Sequence, residues 1–178
     1  MATCEPALVA RARHAYEGGR LTSAAVRTLA LVPLPAVALG CGCQPRTVVI
    51  AGSIFLAAVG FCFWRGGDWR RGAIPGIAAG LVPLLTPAAL QAGAHACRVD
   101  HCGLMTIACA AGGLLGGVLL AWLAPAPRSS GGLPFVVACV VAGLAGAIGC
   151  LAYGAIGLAV MTAGLAAGSL PALALRKV

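Results

Sequence analysis

Apolar residues come in long runs broken by short polar interruptions, without the two-residue alternation of a half-buried strand. A helix needs roughly 20 apolar residues to cross about 30 Å of hydrocarbon. Six runs of about that length lie at 24–43, 47–64, 72–94, 102–124, 132–152 and 154–175. The last two are parted only by Tyr153 and Gly154, but together they are too long for one crossing. The pattern predicts an all-α integral membrane protein, a six-helix transmembrane bundle of short hairpins. Residues 1–23 form a cytosolic juxtamembrane segment ahead of a membrane domain over 24–178, with no stretch long enough for a second, soluble domain.

Composition sharpens this reading. Hydrophobic residues make up 61% of the 178 and charged residues only 9%, whereas a soluble domain is about a quarter charged. A water-facing surface cannot be clothed from that inventory, and disorder would require the opposite bias. The charges also orient the chain, since short loops rich in Lys and Arg stay in the cytoplasm. With the N-terminus inside, cytoplasmic segments hold Arg11, Arg13, Arg20, Arg27, Arg65, Arg70, Arg71, Arg128, Arg176 and Lys177, leaving Arg46 and Arg98 outside. Ten against two predicts both termini in the cytoplasm of a bacterial inner membrane. It also accounts for the net charge of +8 without nucleic acid, because the basic residues are scattered loop by loop. Ala38-Leu39-Gly40-Cys41 weakly resembles a lipoprotein cleavage box, but Pro33 and Pro35 interrupt the preceding apolar core, so the first run is read as a retained span.

No Asp, Glu, Lys, Arg or His lies in the middle of any predicted span, which weighs against a proton-coupled pump. His14, His95 and His101 all fall outside the hydrocarbon, so an intramembrane serine nucleophile would lack a base, and no enzymatic activity is expected. Glycines four apart, at 76/80, 112/116, 113/117 and 164/168, have the spacing that lets helices approach closely in lipid. Pro83 and Pro87 predict a bend in the third span. Shifting the chain by 88 residues lays Gly76-Ile-Ala-Ala-Gly80 and Pro83 on Gly164-Leu-Ala-Ala-Gly168 and Pro171. Those are features of a 3+3 inverted repeat, an arrangement found in transporters.

The nine cysteines carry the most chemistry. On the predicted topology Cys41, Cys43, Cys97, Cys102 and Cys150 gather toward the outer surface, joined by His95 and His101. Two readings of this cluster stand side by side. In an oxidising periplasm paired thiols become disulfides, and Cys97 with Cys102, or either with Cys41 or Cys43, would tie hairpins together. Alternatively Cys41, Cys43, His95, Cys97, His101 and Cys102 supply sulfur and nitrogen ligands for a soft or borderline ion such as zinc, copper or a toxic heavy metal. The spacing matches no standard zinc pattern. Cys62, Cys109 and Cys139 lie within spans and are expected to pack as small apolar side chains.

Ahead of the first span, Leu8, Val9, Ala12, Ala15 and Tyr16 follow helical spacing beside Arg11, Arg13 and Glu17. The simplest reading is a helix lying at the headgroups of the lipid bilayer; the functional one is a docking peptide for a cytosolic protein. Six short spans, a brief cytosolic N-terminal segment and thiols toward the outside resemble the small membrane-embedded anti-sigma factors of proteobacteria. The His-Cys-Pro sequence of some of those proteins is absent, since Gly103 follows His101-Cys102. The resemblance implies a regulator that holds a sigma factor at the inner face and releases it when the membrane part senses metal or oxidant. A small transporter or metal-handling permease, drawing on the repeat, Pro83, Thr86, Pro87 and Gln91, is the alternative.

Overall fold

The computed structural model describes residues 6–40, 44–97, 101–124, 132–151 and 154–175, with side chains over 8–39, 44–87, 89–90, 106–124, 132–151 and 154–171. Seven helices follow in order: α1 (Pro6–Leu29), α2 (Pro33–Gly40), α3 (Pro45–Arg65), α4 (Gly67–Cys97), α5 (His101–Leu123), α6 (Leu133–Cys150) and α7 (Gly154–Leu175). No strand occurs among the described residues. Prolines begin three of these helices and Pro134 sits in the first turn of a fourth. Their fixed φ suits a helix start, and the N–H they lack would have had no partner there.

Two boundaries differ from the apolar runs. The first run, expected as one span over 24–43, is divided, because α1 extends from Pro6 through residue 23 to Leu29 and the chain turns before α2. A residue preceding proline is pushed out of the helical region, so Pro33 dictates the break at 30–32. Tight turns bridge it, with Leu31 N donating to Thr28 O at 3.0 Å and Leu34 N to Leu31 O at 3.1 Å. The arginine-bearing loop expected between the second and third spans shrinks to a junction at Gly66 and Gly67, with φ of +70° and +52°. Side chains rarely adopt such φ values, and two adjacent glycines let α3 turn into α4 with no intervening loop. Arg70 and Arg71 therefore ride on the start of α4.

Five candidate spans are long and apolar enough to cross a bilayer: Leu8–Leu39, which runs through α1 and α2, Pro45–Arg65, Thr106–Leu123, Leu133–Cys150 and Gly154–Pro171. The chain thus has the helices of a multi-pass membrane protein. The longest helix, α4 at 31 residues, is not among the five, and most side chains of its last turns lie outside the described residues.

Packing is densest where side chains are smallest. α4 lies along α6 and against α5, α5 lies along α7, and α3 joins the bundle through α6 and carries α1 and α2. The glycine pairs visible in the sequence sit at these crossings. Gly72, Gly76 and Gly80 of α4 face the α6 backbone, where a Cβ on Gly76 would lie 2.6 Å from Ala138 O. On α5 the two overlapping pairs serve different neighbours, Gly112 and Gly116 meeting α4 while Gly113 and Gly117 meet α7. Gly164 and Gly168 of α7 return the contact, a Cβ on Gly164 lying 2.7 Å from Ala110 O. Gly52 and Gly60 of α3 make room for Pro35 and Thr28, seating α2 and α1.

The interior is rich in alanine and glycine, with Ala73, Ala79, Ala121, Ala138 and Ala142 fully buried beside Phe55, Val59, Ile148 and Met161, while Trp122, Ile156, Ile107 and Leu170 project outward. That distribution suits a surface bathed in lipid, where close backbone approach rather than hydrophobic burial drives association. Prolines are absorbed in the same way. Pro83 has no N–H for Ala79 O, and that carbonyl faces Gly116, whose Cβ would lie 2.9 Å away. Thr86 donates its hydroxyl to Val82 O at 2.7 Å within α4.

The 88-residue correspondence extends to helix starts, Pro45 and Leu133 being 88 apart and Gly67 and Gly154 87 apart. The two most extensive contacts, α4 with α6 and α5 with α7, do not exchange under that shift, which would ask α7 to pack on α3.

Candidate functional site

The sequence-derived cluster is distributed over three chain segments. His95 and Cys97 occupy the last turn of α4, and His101 and Cys102 open α5. These two helix ends are three residues apart in the chain, so the four positions share one end of the α4/α5 hairpin. Their side chains, with all of Cys41 and Cys43, lie outside the described residues. Among the described residues no group of three His, Cys, Asp or Glu side chains forms a metal site.

The structure does assemble sulfur elsewhere. Cys109 of α5, Cys150 of α6 and Met161 of α7 form one buried cluster, each with no exposed surface, flanked by Leu158 and Leu165. The Cys109 and Cys150 thiols are neighbours within this cluster. Helix geometry explains the convergence. Cys109 stands one turn before Gly113, which gives the Met161 backbone room against α5, and Cys150 stands one turn after Gly146, against which the Met161 sulfur lies. The bare glycines draw α7 inward until its methionine reaches both helices. A thioether beside two thiols makes a polarisable buried cluster with soft donors only.

Sequence reading expected Cys109 to be a small packing residue and Cys150 to be part of the outer cluster, and did not pair them. The signal was present in the spacings, Cys109 to Gly113 and Gly146 to Cys150, but which helix each glycine faces is set by tertiary packing. The other described thiols are separate. Cys62 packs among Val59, Val137 and Ile148, and Cys139 beside Leu120 and Ala124, as expected of small apolar side chains.

At the C-terminal end of α3, Arg20 of α1 donates from Nη2 to Trp64 O and, at 2.7 Å, to Arg65 O. The final carbonyls of a helix have no intrahelical donor, and a guanidinium there is favoured by the helix dipole. Arg20 adds to the seat that Thr28 takes against Gly60 and to the burial of Ala24, while most of the α1 surface stays exposed.

No protein-family model, curated protein or solved structure matches the chain. What its helices define is a class, the multi-pass helical membrane proteins, and any finer reading rests on the residues themselves.

Proposed function

We propose that the protein is a six-span regulator of the bacterial cytoplasmic membrane, with both termini in the cytoplasm, that senses thiol-reactive oxidant or soft metal and signals to a cytosolic protein through its N-terminal helix. α4 supplies the remaining crossing in this reading, since 31 residues at about 1.5 Å each exceed the hydrocarbon thickness. The observation that carries it is the Cys109–Cys150 pair. Two thiols on different helices, neighbours in one cluster with no exposed surface, are placed so that a bonding change between them would alter helix packing. Burial disfavours the thiolate that peroxide attacks, so the step requires α5, α6 and α7 to part first. Once they do, peroxide would oxidise one thiol to a sulfenic acid with release of water, and the second thiol would displace a second water to close the disulfide. The outer Cys/His positions at the α4/α5 turn form the entry side of the same hairpin, as a metal site or disulfide.

The output arm is α1, attached to α3 and otherwise exposed, and its anti-sigma-like role is to hold a cytosolic regulatory protein such as a sigma factor. The permease alternative has less support, since Thr86 commits its hydroxyl to its own helix and no polar or charged side chain is fully buried among the described residues.

The test is affinity purification of the full chain from its own host's membranes, with and without peroxide or a soft metal. A cytosolic protein retained under reducing conditions and lost on treatment supports the reading, and replacing both Cys97 and Cys102 by Ser should abolish the loss while leaving insertion intact. A double variant that responds normally removes the outer cluster from the mechanism, and a chain that retains no cytosolic protein removes the regulator.

A further inference from the structure

Between α1, the end of α3 and the start of α4 lies a groove of about 420 Å³. From α1 it receives Tyr16, Arg20, Ser23 and Arg27, positions 4, 3 and 4 apart that fall on one helix face. Arg70 of α4 stands across from them, beside the Gly66–Gly67 junction. Three guanidinium-bearing residues thus line one concavity, and no carboxylate lines it.

The charges differ in their commitments. Arg20 is fixed by the α3 carbonyls and lies 5.7 Å from the Tyr16 ring centroid. Arg27 and Arg70 are exposed and have no carboxylate partner, the one ion pair among the described residues being Asp68 with Arg71 at 3.6 Å. The groove also borders the N-terminus of α4, whose first N–H groups and dipole favour an anion. Phe61, Trp64 and Trp69 cluster at this junction, with ring centroids 6.1 and 5.5 Å from Phe61. Tryptophan concentrates at the headgroup level of a bilayer, which sets the groove at the depth of lipid phosphates.

We propose that this groove is a binding site for a phosphate oxyanion, presented by an anionic phospholipid headgroup or free in the cytosol. Arg20 supplies a preset cation, Arg27 and Arg70 close on the oxyanion as paired donors, and Ser23 adds a hydroxyl. Because the ligand bridges α1 to α4, binding clamps the N-terminal helix onto the bundle. The site stands independently of the sensing role.

The experiment uses the full chain in phosphatidylcholine nanodiscs, read by native mass spectrometry and by tryptophan fluorescence. One arm adds phosphatidylglycerol to the disc and the other adds inorganic phosphate. We expect one saturable ligand per chain, and an apparent affinity lowered about tenfold or more by Arg27→Gln with Arg70→Gln. Arg11→Gln with Arg13→Gln, which removes as much charge elsewhere, should change it little. Retention of phosphatidylglycerol unaffected by millimolar phosphate identifies the headgroup as the source, and competition identifies the free anion. Equal weakening by both double variants, or no saturable binding of either ligand to the unsubstituted chain, overturns the proposal. The second criterion needs no variant to fold.

Discussion

Gly76 and Gly143 show how differently one residue type is used in this chain. At Gly76 a Cβ would meet Ala138 O at 2.6 Å, whereas at Gly143 nothing lies within 4 Å. Backbone cannot yield as a flexible side chain can, so Gly76→Leu should cost about 1–3 kcal/mol. Gly143→Ala should stay within about 0.5 kcal/mol of the parent. Reversible unfolding in mixed micelles would measure both, and equal effects would mean that α4 and α6 do not cross at Gly76. The glycine spacings were legible in the sequence, and so was the burial of Cys62 and Cys109. The pairing of Cys109 with Cys150 was not, because 41 residues separate them and only the approach of α5, α6 and α7 brings them together.

At the scale of elements, the chain's apolar runs located most helices and the breaks between them but not the break inside the first run. Pro33 carried the signal for the break between α1 and α2, and the adjacent glycines 66 and 67 for the α3/α4 junction. Uniform hydrophobicity obscured the first, since a run of apolar residues reads alike whether or not the helix continues through it. The second was marked by Arg65, Asp68, Arg70 and Arg71, and only the shortness of the connection was not legible. The attachment of α1 had no sequence signal, because it depends on the side chain of Arg20 meeting the end of a helix some 44 residues on. That attachment is testable. A charged hydrogen bond at a partly exposed site survives screening at about 1 kcal/mol or less, so Arg20→Met should speed amide exchange along α1 up to about fivefold. Arg11→Met should leave it unchanged, and equal exchange in the two variants would show that Arg20 does not hold the helix.

For the whole molecule, the proposed arrangement of six crossings with both termini in the cytoplasm would put ten basic residues inside and two outside. Alkaline phosphatase fused after Arg98 should be active and after Arg128 inactive, while a fluorescent protein at the C-terminus should fluoresce. An active fusion after Arg128 would reverse the arrangement. The central claim, that the bundle is thiol-responsive, depends on the buried meeting point of α5, α6 and α7. Its most direct measurement is peptide mapping after the membrane-embedded protein is treated with peroxide and its remaining thiols are alkylated. The account predicts a peptide joined through Cys109 and Cys150 that disappears on reduction and is not formed in Cys109→Ser. Recovery of both cysteines separately alkylated, under conditions where the cell mounts its stress response, would contradict it.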